Sequence, residues 1–112
     1  MNIASLVDQI TYQENKPTVT VLFKTETTKE IRIVMKKGQT MKEHQAPYPI
    51  VIEIFEGSIN FGVNNEKKLL NKGDLIALNA NILHDLTCLS DCIIRLSLSI
   101  YDSVERVKNV NN

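Results

Sequence analysis

From Thr18 to Ile100, apolar residues recur at alternate positions in short runs broken by turn residues. A period of two is the repeat of a strand with one buried face. Lys29–Lys36 places Ile31, Ile33 and Met35 on one side, and Thr18–Lys24 is rich in β-branched residues. Ile50–Phe55 is a nearly continuous apolar run, which predicts a strand covered on both faces. Met41–Ala46, Ile59–Val63, Lys67–Leu70, Leu75–Leu78, Leu83–Cys88 and Cys92–Ile100 read as further strands. The breaks are Lys37-Gly38-Gln39, Pro47-Tyr48-Pro49, Glu56-Gly57-Ser58, Asn64-Asn65 and Asn71–Asp74. Asn64-Asn65 suits a tight hairpin because asparagine tolerates positive φ. Short strands so closely spaced predict an all-β barrel or sandwich. Two segments depart from the pattern. Asn2–Gln9 sets Ile3, Leu6, Val7 and Ile10 at helical spacing, which predicts a short N-terminal helix, and Asp102–Asn112 is a polar tail read as a short helix or a frayed end.

The chain has 112 residues, which predicts one domain over 1–112 with a barrel core at about 18–100. An apolar content of 43% is enough for a real core. Thirteen basic residues balance thirteen acidic ones, which argues against nucleic acid as a partner, since phosphate binding needs a basic excess or a basic face. No run approaches the roughly 18 apolar residues of a membrane span. Met1–Ile10 lacks the basic start and apolar stretch of a signal peptide, so a cytoplasmic location is expected. Cys88 and Cys92, four positions apart in a strand-rich region, read as free buried thiols.

The glycine and histidine spacing carries a further reading. Gly38 is followed by five residues and His44, then Gln45, Ala46 and Pro47–Pro49, then Ile50, and Gly57 after six more. Later, Gly73 is followed by five residues, Asn79-Ala80-Asn81, two residues and His84, with Cys88 beyond. From Thr18 to Ile100 this frame resembles the cupin family, whose two motifs share the spacing. The resemblance implies a jelly-roll β-barrel with His44 and His84 inside. In the family, three histidines and a carboxylate hold a divalent metal such as zinc, iron, manganese, nickel or copper. Here Ala46 stands at the second histidine and Ile50 at the carboxylate, so the chain supplies His44 and His84 alone as metal ligands.

Strand parity extends the site. If His44 points inward, Lys42 and Ala46 share its face, and Ile50 takes Ile52 and Ile54 with it, leaving Glu53 outside. The expected pocket is therefore His44, His84, Lys42, Ala46, Tyr48, Ile50, Ile52 and Leu86, with Tyr48 at its mouth between two stiffening prolines. A mostly apolar cavity with a few placed polar groups describes a small-molecule site. The leading expectation is thus a small single-domain cupin that binds a small molecule, with or without a divalent metal. The alternative is a metal-dependent enzyme of dioxygenase or isomerase type, with imidazoles for proton transfer. The residues do not decide between binding and catalysis. The resemblance also implies a homodimer, with Thr18–Lys24 as the pairing edge.

Overall fold

The structure is a computed structural model and describes residues 1–111. Among these, nine strands run in chain order: β1 (Thr18–Lys24), β2 (Thr28–Met35), β3 (Thr40–His44), β4 (Ile50–Glu56), β5 (Ser58–Val63), β6 (Glu66–Asn71), β7 (Leu75–Leu78), β8 (His84–Cys88) and β9 (Cys92–Ser99). A helix α1 (Val104–Lys108) and a single 3₁₀ turn over Asn109–Asn111 follow. All pairings are antiparallel. One sheet has the order β1-β2-β9-β4-β7 and the other β3-β8-β5-β6. No helix among the described residues is long and apolar enough to cross a membrane.

The period of two builds the core between the sheets. Ile31, Ile33 and Met35 of β2, Ile50, Ile52 and Ile54 of β4, and Ile94, Leu96 and Leu98 of β9 are buried on one side. Met41, Ile59, Phe61, Leu86 and Cys88 face them from the other sheet. Each such side chain contributes about 1.5–3 kcal/mol by leaving water. The β5–β6 hairpin closes on Asn64 and Asn65, with φ of 53° and 63°, as the sequence predicts. At Gly57 φ is 89°, and a Cβ there would stand 2.4 Å from the Asp91 carbonyl oxygen, so the β4–β5 turn admits only glycine.

Two local expectations are corrected. Ile50–Phe55 is not covered on both faces: Ile50, Ile52 and Ile54 are buried, whereas Val51 is exposed. The outer face of β4 and β9 instead carries an ion-pair network. Arg95 donates to Glu53 at 2.7 Å and to Glu30 at 2.9 Å, and Ser97 donates to Glu30 at 2.7 Å. The predicted N-terminal helix does not form. Residues 5–8 make a turn in which Ser5 Oγ accepts from the backbone N–H groups of Val7 and Asp8, and Gln9 adopts φ of 53°. The carbonyls of Ser5 and Asp8 accept from Arg32 at 3.3 and 2.8 Å. A short segment gains little from helix nucleation, and a buried guanidinium outcompetes it for acceptors. The N-terminal segment thereby reaches Arg32 on β2, a strand buried from Ile31 to Met35.

Candidate functional site

Strands β3 and β8 bring the two histidines together. His44 and His84 are register partners, and their ring centroids lie 4.2 Å apart at 58°. Phe61 of β5 stacks on His84 at 5.6 Å. Each ring spends Nδ1 on the carbonyl two residues earlier, His44 on Lys42 at 2.7 Å and His84 on Ile82 at 2.9 Å. A carbonyl only accepts, so both Nδ1 atoms carry the proton and both Nε2 atoms keep a lone pair. No hydrogen bond engages either Nε2 among the described residues.

Burial keeps the pair neutral. Desolvation lowers the His44 pKa to about 4, with smaller contributions from His84 and from Arg106, against the opposing Lys42 carbonyl. Desolvation also lowers His84, again assisted by Arg106 and opposed by the Ile82 carbonyl. Two neutral imidazoles at neutral pH are hydrogen-bond acceptors rather than acids.

The rings border a cavity whose other walls include Ile50, Ile52, Leu86, Leu96, Arg106 and Val107. Space reachable by the centre of a water-sized molecule is about 20 Å³, room for one water and far from a ligand's several hundred. The C-terminal segment sets this limit. Val107 and Val110 are buried against the core, and Lys29 donates to the Asp102 carbonyl just before α1. Ser103 caps the helix by accepting from Arg106 N–H at 3.3 Å.

His44, His84, Ile50, Ile52 and Leu86 thus line the cavity, and three expected lining residues lie elsewhere. Lys42 is exposed, because a β-bulge between Met41 and His44 inserts one extra residue opposite β8. The bulge puts Met41, not Lys42, on the inner side with His44. Ala46 is buried in the core but does not border the cavity, and its carbonyl accepts from Asn81 at 2.7 Å. Tyr48 is exposed and packs against Tyr101 with ring centroids 6.2 Å apart. Sequence reasoning missed Arg106 and Val107. Their signal was present in the tail: valines at 104, 107 and 110 in helical spacing, and Asp102 four residues before Arg106.

The donor set does not suit a metal of the kind the family resemblance implies. The free Nε2 atoms, with Nδ1 tied to carbonyls, are oriented as metal-binding imidazoles are. Only two are present, however, where three or four protein ligands are usual. No group of three His, Cys, Asp or Glu side chains among the described residues is placed to hold an ion. The next polar group at the cavity is the cation Arg106.

No family model matches the sequence. No curated protein matches it either. Solved structures do match. TT1209 from Thermus thermophilus superposes with a TM-score of 0.79 at 21% identity, over 88% of this chain and 98% of that one. A cupin protein from Desulfovibrio desulfuricans gives 0.78 at 14% identity, over 88% and 96%. KdgF from Halomonas sp. gives 0.67 at 17% identity, over 77% and 82%. The chain has the cupin fold, two antiparallel sheets closed around one core.

Proposed function

We propose that this barrel is a small-molecule binding module whose ligand has an apolar body and at least one hydroxyl or N–H donor. The observation that carries the reading is the pair of neutral imidazoles, 4.2 Å apart, with both Nδ1 atoms spent and both Nε2 lone pairs open. Each open Nε2 accepts a hydrogen bond from a ligand donor in a largely desolvated site, a net gain on the order of 1 kcal/mol. Ile50, Ile52 and Leu86 supply the apolar surface for the rest of the molecule. The incomplete donor set leaves metal-dependent chemistry without support, and the reading requires none. Because the cavity holds about one water, a ligand of this size needs the segment carrying Val107 to move outward. The test is imidazole NMR of the full chain titrated with isohexanol, a branched aliphatic alcohol. Saturable shifts of both rings, together with loss of isohexanol binding by calorimetry in the His44→Ala, His84→Ala double variant, support the proposal. Shifts absent from both rings at millimolar alcohol sink it.

A further inference from the structure

The cavity has a third polar group, and its hydrogen bonds are half spent. A guanidinium offers two edges of paired N–H donors. In Arg106, Nε donates to Asp102 Oδ1 at 2.9 Å and Nη2 donates to Oδ2 at 2.8 Å, which fills one edge. On the other edge, Nη1 reaches only the Gln45 carbonyl, at 3.5 Å, the outer limit of a hydrogen bond. Asp102 is fully committed. It is buried, and its Oδ1 also accepts from Ser103 N–H at 2.7 Å. The carboxylate therefore fixes the orientation of the guanidinium without occupying its second edge.

Arg106 lines the same cavity as His44 and His84. The second edge of a guanidinium matches a planar anion with two parallel acceptors, whereas a lone Nε2 matches a single O–H donor. Between these groups the wall is aliphatic, with Ile50, Ile52, Leu86 and Leu96 offering no polar atom for a sugar-like ring.

We infer, building on the pocket reading above, that the ligand is a small aliphatic hydroxy acid. Its carboxylate takes the Nη1/Nη2 edge of Arg106, its hydroxyl donates to Nε2 of His44 or His84, and its branched body lies on Ile50, Ile52 and Leu86. Asp102 acts as a positioning residue, holding the guanidinium from behind. Since Arg106 and Val107 are neighbours on α1, the element that narrows the cavity is also the one that recognises the acid.

The test compares leucic acid (2-hydroxyisocaproate) with its neutral amide, both titrated into the full chain and read by calorimetry and by the histidine resonances. The acid is expected to bind about tenfold or more tightly than the amide, since a charge-assisted paired contact is lost in the amide. Arg106→Gln is expected to bring the ratio near one. Arg106→Lys keeps a cation beside Asp102 while losing the paired edge, and is expected to give an intermediate ratio. Because the ratio is taken within each variant, partial destabilisation does not mimic the effect, and thermal melting verifies folding. An amide that binds the unaltered protein as tightly as the acid overturns the hydroxy-acid inference and leaves the pocket reading intact. An acid preference that persists in both folded Arg106 variants overturns the assignment to Arg106. If leucic acid, its amide and isohexanol all leave both rings unshifted, the pocket reading fails and this inference fails with it.

Discussion

The two ends of the barrel hold polar atoms in different states. Because Thr40 pairs with Thr87 and His44 with His84, Cys88 lies beyond the end of the β3–β8 ladder opposite the histidines. There the Cys88 Sγ meets Met35 Sδ at 3.6 Å, and Cys92 Sγ donates toward the carbonyls of Ser58 and Ser90 at 3.3 and 3.2 Å. The adjoining Cys92 thiol and burial push Cys88 up, so it packs as a small hydrophobe rather than as a nucleophile. At the imidazole end, two Nε2 lone pairs and one guanidinium edge have capacity left over. A buried group whose hydrogen bonds are spent on its own chain stabilises the fold, and one with unspent capacity is available to a ligand. The proposed function rests on this difference and not on the fold.

The largest expected effect breaks the closed end. Gly57→Ala forces a left-handed φ on alanine and drives its Cβ to 2.4 Å from the Asp91 backbone oxygen, with Cys92 Sγ at 2.9 Å. Strain and overpacking together predict a loss of about 3 kcal/mol in urea unfolding. Gly62→Ala is the contrast. The nearest atom, 2.2 Å away, is the Asp85 carboxylate oxygen, the end of a side chain able to turn aside. Equal losses in the two variants would mean that the β4–β5 turn is not the rigid point described.

The next effect sharpens the other end. Val107 is buried over the cavity at 3% exposure, and Val107→Ala removes two methyl groups at a cost of about 2 kcal/mol. The same change enlarges a space that now fits one water. Stability and binding are therefore expected to move in opposite directions, with lower melting temperature and tighter isohexanol binding. A decrease in both would show that α1 supports the site without obstructing it.

A smaller effect follows from the neutral rings. The folded-state pKa of His44, about 4, lies below the unfolded value near 6.5, so the unfolded chain binds more protons between them. His44 therefore contributes stability that is complete above pH 6.5 and is lost as pH falls toward 4. At this half-buried, partly screened ring the contribution is on the order of 1 kcal/mol. Carboxylates titrate in the same window, so the measurement is the difference between the unaltered protein and His44→Gln. Parallel stability curves from pH 7 to pH 4 would contradict the desolvated ring.

What was legible in the sequence was whatever repeats with the strand period or occupies a fixed backbone conformation. Ile31, Ile33 and Met35 alternate because the core requires it, and Asn64, Asn65 and Asn81 stand at positive φ. The cupin resemblance, carried by the spacing from Gly38 to His44 and from Gly73 to His84, implied two inward rings, and the structure sets them side by side. Features that depend on a partner elsewhere in the chain were not legible. Arg32 decides that Ser5–Asp8 is a turn, and Asp102 decides which edge of Arg106 stays open. The periodic valines of the tail were readable, but nothing local says that they cover a cavity.

The bulge in β3 gives the smallest expected effect and the sharpest check on the site's boundary. Regular parity puts Lys42 beside His44, and a cation there would compete with Arg106 for a ligand's carboxylate. The register instead moves three residues from Met41 to His44 while β8 moves two, from Leu86 to His84, so the side chain of Lys42 turns to solvent. Only its backbone carbonyl serves the site, as the acceptor for His44 Nδ1 at 2.7 Å, and a backbone carbonyl survives substitution. Lys42→Ala is accordingly expected to change stability by less than about 0.5 kcal/mol and to leave leucic acid binding unaltered. A loss of acid binding in Lys42→Ala with Arg106 intact would place the lysine inside after all and return the anion-binding role from the helix to the strand.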